Sequence, residues 1–289
     1  MAVDRDLDAA HLGPEAVARY LRQHDLWARR SLSQNHLADG AVLERIVAEA
    51  GVQPGERVVE VGPGLGILTA ALLAAGAQVT AVELDSRLAE HLRARFTGRD
   101  DVRLVEGDFL DLELTDLARE PWALVANVPY HITSPILHRV LGGDHRPVRF
   151  VLMVQKEVAE RIAAPPGAMS YLSVFAQYHA DVRVAFTVPA AAFEPAPAVD
   201  SAVLAGTVRP RRLSPADEDD LWRLVQAAFR ERRKMLHNVL VRQLDELDRD
   251  RLDAALAACA IDPDRRPQTL SLEEWLALRA ALAALAATG

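Results

Sequence analysis

Apolar residues fall into two patterns along the chain: short continuous runs, and repeats spaced three and four apart. RVVEVG (57–62), QVTAVEL (78–84), DVRLVEGD (101–108), WALVANVPY (122–130) and RFVLMVQ (149–155) are the runs, and each predicts a strand. Between them ILTAALLAAG (67–76), SRLAEHLRARF (86–96) and HITSPILHRVL (131–141) have helical spacing, the first closed by Gly76. Helices are also expected over 14–30 and about 40–51, the second with Val42, Ile46 and Val47 on one face. KEVAERIAA reads as a helix cut off by Pro165-Pro166-Gly167, and two late strands, 182–189 and 201–210, flank the loop FEPAPAVD. Strands and helices alternating at this pitch predict an α/β fold with a mostly parallel, doubly wound sheet. From about 213 the pattern is helical throughout, over 215–243, 248–260 and 271–287, the last opened by a capping-box spacing, Ser271 to Glu274. A boundary near 208–213 is expected, giving a Rossmann-like domain over 1–210 and a small all-helical domain over 211–289.

Composition narrows the class. Half of the 289 residues are apolar, which excludes a disordered chain. The single Cys259 excludes an internal disulfide framework and a multi-cysteine metal site, so no metal is expected. The acidic start, MAVDRDLDAAHLG, does not read as a signal peptide, and no apolar run reaches the roughly 20 residues of a membrane span. The expectation is a soluble, cytoplasmic monomer. Net charge is −8, which argues against a protein that coats nucleic acid by charge alone but not against one that holds a particular RNA with local patches. All of the excess lies in residues 1–208, with 19 basic to 27 acidic side chains; residues 209–289 hold 14 of each.

EVGPGLG (60–66) follows a strand and opens a helix, the position of a nucleotide-binding loop. Gly62, Gly64 and Gly66 allow a sharp turn and a close backbone approach to a ligand, although a plain strand-to-helix turn also uses such glycines. The surrounding acids add to the signal. Glu83 ends the second strand 21 positions after Gly62, where a carboxylate can grip two ribose hydroxyls. Asp108, followed by Phe109, ends the third strand, placed to accept from an adenine amino group. Glu60 stands just before the loop, awkward for a pyrophosphate but suited to a cationic ligand. S-adenosylmethionine, with a sulfonium, an ammonium and no phosphate, is therefore favoured over NAD; GPGLGILT also lacks the lysine of a P-loop.

Asn127-Val-Pro-Tyr130 closes the fourth strand, at the carboxyl edge where open α/β sheets bind ligands. An adenine amine is a poor nucleophile because its lone pair is delocalised into the ring. The Asn127 side-chain oxygen and the carbonyl of Val128 or Pro129 could accept both N–H hydrogens and free that lone pair for attack. Pro129 stiffens the turn and Tyr130 offers a π-face to the base. The displacement is in line and needs no strong base, so positioning and electrostatics carry it.

With these motifs in register the chain resembles the ribosomal RNA adenine N6,N6-dimethyltransferase family, most closely its small-subunit branch. The matching stretches run in family order: SQNHLAD (33–39), VVEVGPGLGILT (58–69), VTAVELD (79–85), EGDFLDL (106–112), ANVPYHITSPIL (126–137), MVQKEVAERI (153–162), FEPAPAVDSAVL (193–204), FRERRKMLHNVL (229–240) and IDPDRRPQTLSLEEWLAL (261–278). The resemblance implies that Asn35, Leu37, Gly62, Glu83, Asp108 and Asn127 bind S-adenosylmethionine, with Glu60, Gly64 and Phe109 beside them. It also implies that Asn127, Pro129 and Tyr130 hold the target base and that Phe193 stacks on its other face. Two positions depart from the family pattern: Ser33 replaces a glycine, and His36 an aromatic.

The implied substrate is two adjacent adenosines in the 3′-terminal hairpin loop of 16S rRNA, within an immature small subunit. Alternatives are a large-subunit 23S rRNA methyltransferase of the macrolide-resistance type, and a non-catalytic assembly or transcription factor on the same fold. The helical C-terminal segment favours the first over the second, and the intact Asn127 and Glu83 motifs disfavour the third. RNA contacts are expected from Arg230, Arg232, Arg233 and Lys234, from Arg209, Arg211 and Arg212, and from Arg29-Arg30.

Overall fold

Near-continuous runs of Val, Leu and Ala make strands that can bury both faces, and five such strands form the parallel part of a seven-stranded sheet. The computed structural model describes residues 7, 9–27, 34–129, 132–244 and 247–288. Helix α1 (Pro14–Gln23) precedes a two-residue strand β1 (His36–Leu37) and helix α2 (Gly40–Ala50), whose first turn is capped by the Asp39 carboxylate at 3.0 Å from the Val42 amide. There follow β2 (Arg57–Val61), α3 (Ile67–Ala74), β3 (Gln78–Glu83), α4 (Ser86–Arg95), β4 (Val102–Glu106), the single turn α5 (Leu114–Leu117), β5 (Trp122–Asn127), α6 (Thr133–Gly142) and β6 (Arg149–Gln155). Helices α7 (Lys156–Ile162) and α8 (Tyr171–His179) lead to β7 (Ala180–Val188), the short β8 (Phe193–Glu194) and β9 (Ser201–Val208). The rest is helical: α9 (Pro215–Phe229), α10 (Leu236–Gln243), α11 (Arg249–Ala258) and α12 (Leu272–Thr288).

Sheet order is β4-β3-β2-β5-β6-β9-β7. Strands β2 to β6 pair in parallel, and β9 runs antiparallel to β6 with Leu152 opposite Leu204. From β2 the chain winds outward through β3 and β4, then returns to the other side of β2 as β5. The order reverses between β2 and β5, so their carboxyl ends splay apart and open a crevice. Alternate residues face opposite layers. Val58, Ala123, Val125, Val151 and Met153 join one core with α1 to α4, while Val59, Leu124, Phe150 and Leu152 are equally buried on the other face. This is the α/β Rossmann-like architecture expected from the pattern.

Contacts divide the chain into two units, residues 1–159 with 181–208, and residues 160–180 with 209–289. The expected division at 1–210 and 211–289 differs from this in the segment 160–180. In the second unit Met169, Val174 and Tyr178 share a core with Leu221, Leu236, Leu252 and Trp275. The Tyr178 hydroxyl donates to Glu218 at 2.9 Å, and Arg211 also pairs with that carboxylate. The expected helix over 14–30 stops at Gln23, before Asp25 takes a left-handed φ of 52°. The expected single helix over 215–243 is two, broken at 230–235. Among the described residues no helix is long and apolar enough to cross a membrane.

Candidate active site

The crevice between β2 and β5 is walled by four loops, each leaving the carboxyl end of a strand. After β2 the backbone turns through Gly62 (φ 69°) and Gly64 (φ 59°), conformations that side chains disfavour. A methyl carbon on Gly62 would touch Pro129 Cδ at 3.5 Å, and one on Gly64 would sit 3.1 Å from His36 Nδ1. The glycines therefore let the β2 loop pass flat between the β5 turn and the β1 segment.

Three carboxylates converge here. The Glu83 side chain accepts from the Gly64 amide at 3.1 Å and from the Asp85 amide at 2.9 Å, which fixes it under the glycine loop. Burial raises its pKa despite those two bonds. Glu60 is fully enclosed, and burial pushes its pKa up to about 8. The Thr69 hydroxyl donates to it at 2.6 Å, opposing the shift, while the charge of Glu83 adds to it. Asp108 follows Gly107, whose amide donates to the Glu83 carbonyl at 2.9 Å, and it caps its own turn by accepting from the Leu110 amide at 2.9 Å. His36, the departure from the family pattern, is buried against Gly64, and desolvation lowers its pKa to about 4. It is a neutral ring at physiological pH.

The acceptor turn lies opposite. The Val128 amide donates to the Met153 carbonyl at 3.1 Å, pinning the end of β5 to β6. The Asn127 amide nitrogen reaches the Asn35 carbonyl at 3.4 Å. A carbonyl requires a donor, so this contact turns the amide such that its oxygen is the end left for a ligand. Of the two carbonyls the sequence offered, that of Pro129 already accepts from the Ile132 amide at 3.1 Å, and no described donor bonds that of Val128. β1 and β8 pair antiparallel, Leu37 against Phe193, and bring both side chains to the wall.

The resulting cleft encloses about 1250 Å³ including its open mouth. Asn35, Leu37, Glu60, Gly62, Gly64, Glu83, Asp108, Phe109, Asn127, Pro129 and Phe193 all line it. Sequence reasoning missed Gln34, Leu84, Ile132 and Met153, which line it too. Tyr130, Ser33 and Arg29-Arg30 lie outside the described residues. Among the described residues no Lys or Arg lines the cleft. A pyrophosphate would meet carboxylates without a counter-charge, whereas a sulfonium and an ammonium fit this donor set.

Of the basic residues expected to meet RNA, those of the second unit fall into two groups. Arg211 pairs with the buried Glu218, Arg212 holds both Glu273 oxygens at 2.8 Å, and Arg230 donates to Gln243 at 2.9 Å. Arg232, Arg233 and Lys234 are exposed in the break between α9 and α10, and their side chains make no hydrogen bond or ion pair among the described residues. No cluster of three or more His, Cys, Asp or Glu suited to a metal occurs among the described residues.

Comparison with known proteins gives the same reading of the chain. The pattern of the ribosomal RNA adenine dimethylase family matches residues 26–283. The chain is 43% identical over 272 residues to the ribosomal RNA small subunit methyltransferase A of Geobacter metallireducens, covering 92% of this chain and 99% of that one. It is 45% identical over 264 residues to the protein of that name from Gloeobacter violaceus, covering 89% and 94%. Among solved structures it is similar to the 23S rRNA methyltransferase ErmE, with 30% identity, a TM-score of 0.71, and coverage of 86% of this chain and 100% of that one. A dimethyladenosine transferase from Plasmodium falciparum, 23% identical with a TM-score of 0.74 over 84% of this chain and 95% of that one, shares the fold. With a family match that spans nearly the whole chain and a cleft built from that family's motifs, the protein belongs to the ribosomal RNA adenine dimethylases.

Proposed function

We propose that the protein transfers methyl groups from S-adenosylmethionine to N6 of two adjacent adenosines in the 3′-terminal hairpin loop of 16S rRNA, in an immature small subunit. The observation that carries this reading is the meeting of two features in one cleft: a carboxylate-lined glycine loop with no cationic side chain among the described residues, and the Asn127–Pro129 turn with its outward acceptors. Bound there, S-adenosylmethionine supplies an electrophilic methyl group on a positively charged sulfur. Glu83 would take the ribose hydroxyls and Asp108 with Phe109 the adenine, while Glu60 would face the positive end through the glycine loop, becoming a carboxylate as the bound cation lowers its raised pKa. Asn35 and Leu37 close the wall beside Asn127.

On the substrate side the Asn127 side-chain oxygen and the Val128 carbonyl accept the two N–H bonds of the adenine amine. That arrangement directs the nitrogen lone pair across the cleft. Pro129 and Phe193 confine the base, and the buried walls keep water from the reacting atoms. The amine proton becomes acidic only as the new bond forms, and it leaves to solvent through the open mouth of the cleft after transfer. A target base must leave its stack to reach these groups, which suits a loop adenosine. The helical unit supplies Arg232, Arg233 and Lys234 for phosphate contacts, and the enzyme acts as a cytoplasmic monomer.

The large-subunit alternative draws on the likeness to ErmE. One experiment separates the two: labelled S-adenosylmethionine is offered to immature small and large subunits in separate reactions and the product is mapped. Label at adjacent small-subunit adenosines is expected. Label confined to the large subunit would overturn the assignment, and none in either would overturn the activity.

A further inference from the structure

Trp27 is the most exposed large apolar side chain among the described residues, at 56%. It is nonetheless held in place. The Arg87 guanidinium carbon lies 4.3 Å from the indole centroid. Arg87 is itself anchored, with Nε and Nη2 bonded to the two Asp85 oxygens at 3.3 and 3.0 Å. Asp85 caps the start of α4 and also accepts from Gln34 Nε2 at 3.2 Å. The third guanidinium nitrogen, Nη1, is buried without a hydrogen-bond acceptor among the described residues. The indole face covers this cation, a contact that suits both partners. Trp27 is thus braced on one side and presents its remaining surface to solvent.

Its position gives that surface a use. Gln34 and Leu84, which flank the Asp85–Arg87 anchor, line the cleft, and Leu84 is itself 55% exposed. Trp27 does not line the cleft. Through Arg87 and Asp85 it is tied to the lining residue Gln34, so it stands at the rim. An aromatic face backed by a guanidinium, beside a cleft for a flipped base, has the chemistry of a single-strand stacking site. Unstacking the target adenosine leaves its neighbours in need of new partners, and this is the partner the rim offers.

We propose that Trp27 is a stacking platform for an unpaired base of the RNA substrate, adjacent to the base that enters the cleft. This rests on the RNA-methylating function inferred above. The test measures KM for immature small subunits and the dissociation constant of S-adenosylmethionine in Trp27→Ala and Trp27→Phe, with thermal melts to verify folding. Trp27→Ala is expected to raise KM about tenfold, with Trp27→Phe recovering most of the loss and cofactor affinity unchanged in both. An unchanged KM in Trp27→Ala would overturn the platform while leaving the enzyme reading intact. A weakened cofactor constant in parallel with KM would overturn it too, by making Trp27 part of the cofactor site. Absence of transfer by the unaltered protein would overturn the parent reading and the platform together.

Discussion

Asn127 illustrates how a residue's role depends on where its second polar atom goes. Its amide nitrogen is committed to the Asn35 carbonyl 92 positions earlier, so the oxygen is aimed without further cost when substrate arrives. Asn127→Ala is expected to lower methyl transfer by at least about 100-fold while leaving the circular dichroism spectrum and Tm near those of the unaltered protein; transfer close to the original rate would refute the role. Glu60 gives a second prediction at this scale. Its folded pKa of about 8 lies above the ordinary 4.5, so the folded chain holds a proton that the unfolded chain releases between those values. The stability it contributes is fully present below about pH 4.5 and is lost as pH rises through about 8. Thermal melts of the cofactor-free protein from pH 5 to 9 should therefore fall more steeply than those of Glu60→Gln. Parallel curves would show that Glu60 does not titrate in this way. Residues of this kind were legible in sequence because each sits at a strand end beside glycine or proline. The Val128 carbonyl is singled out as the acceptor only because Pro129 is already bonded to Ile132, a fact of geometry that residue types do not carry. Met153 was hidden for a plainer reason: it is one more apolar residue in an apolar strand.

Among elements, the strands and the helices between them were readable because hydrophobic runs and glycine turns coincide. The α3 helix shows how tightly the turn is specified. Gly66, its N-cap, has φ 75°, and an added methyl carbon would meet Leu92 Cδ2 at 2.7 Å and Phe96 Cε2 at 2.8 Å. Both neighbours are buried, so neither can swing aside. Gly66→Ala is expected to cost about 2 kcal/mol, read as a lower urea midpoint at unchanged slope; a midpoint equal to the original would mean that the α3–α4 packing yields freely. Helix α8 escaped sequence reasoning because YLSVFAQYH is apolar nearly all round: Leu172, Val174, Phe175, Ala176 and Tyr178 are all buried. A helix without a polar face lacks the periodic signal. Its capping box uses Ser173 where the usual rule looks for Glu or Gln. The break between α9 and α10 has no glycine or proline to announce it. It is set from a distance, where the Leu236 amide at the start of α10 donates to the Arg265 carbonyl at 2.8 Å. The β1–β8 pair, two residues long and joined across about 150 positions, is equally beyond local reading.

At the scale of the whole molecule the acidic balance places a demand on RNA binding. The net −8 belongs to residues 1–208, and of the expected basic clusters Arg211, Arg212 and Arg230 are occupied by side chains of the protein itself. Arg232, Arg233 and Lys234 are left facing solvent. Replacing all three by Gln should weaken binding of the small subunit and reduce the slope of log affinity against log salt by about 2. An unchanged slope between 50 and 300 mM salt would remove this turn from the interface. Charge counting found the cluster, but composition cannot tell an arginine facing solvent from one holding a buried glutamate. The domain reading shared that limit, since the hydrophobic pattern marks where helices take over but not that 160–180 joins them. That early segment has a consequence in time. Met169, Val174 and Tyr178 belong to the same core as Trp275 and Leu278, near the far end of the chain. During synthesis at ~5–20 residues per second, α8 emerges about 5–20 s before the residues that complete its core. Over that interval a helix with hardly any polar face must be sheltered from other nascent chains, so the order of synthesis, as well as the final fold, bears on how reliably this enzyme is made.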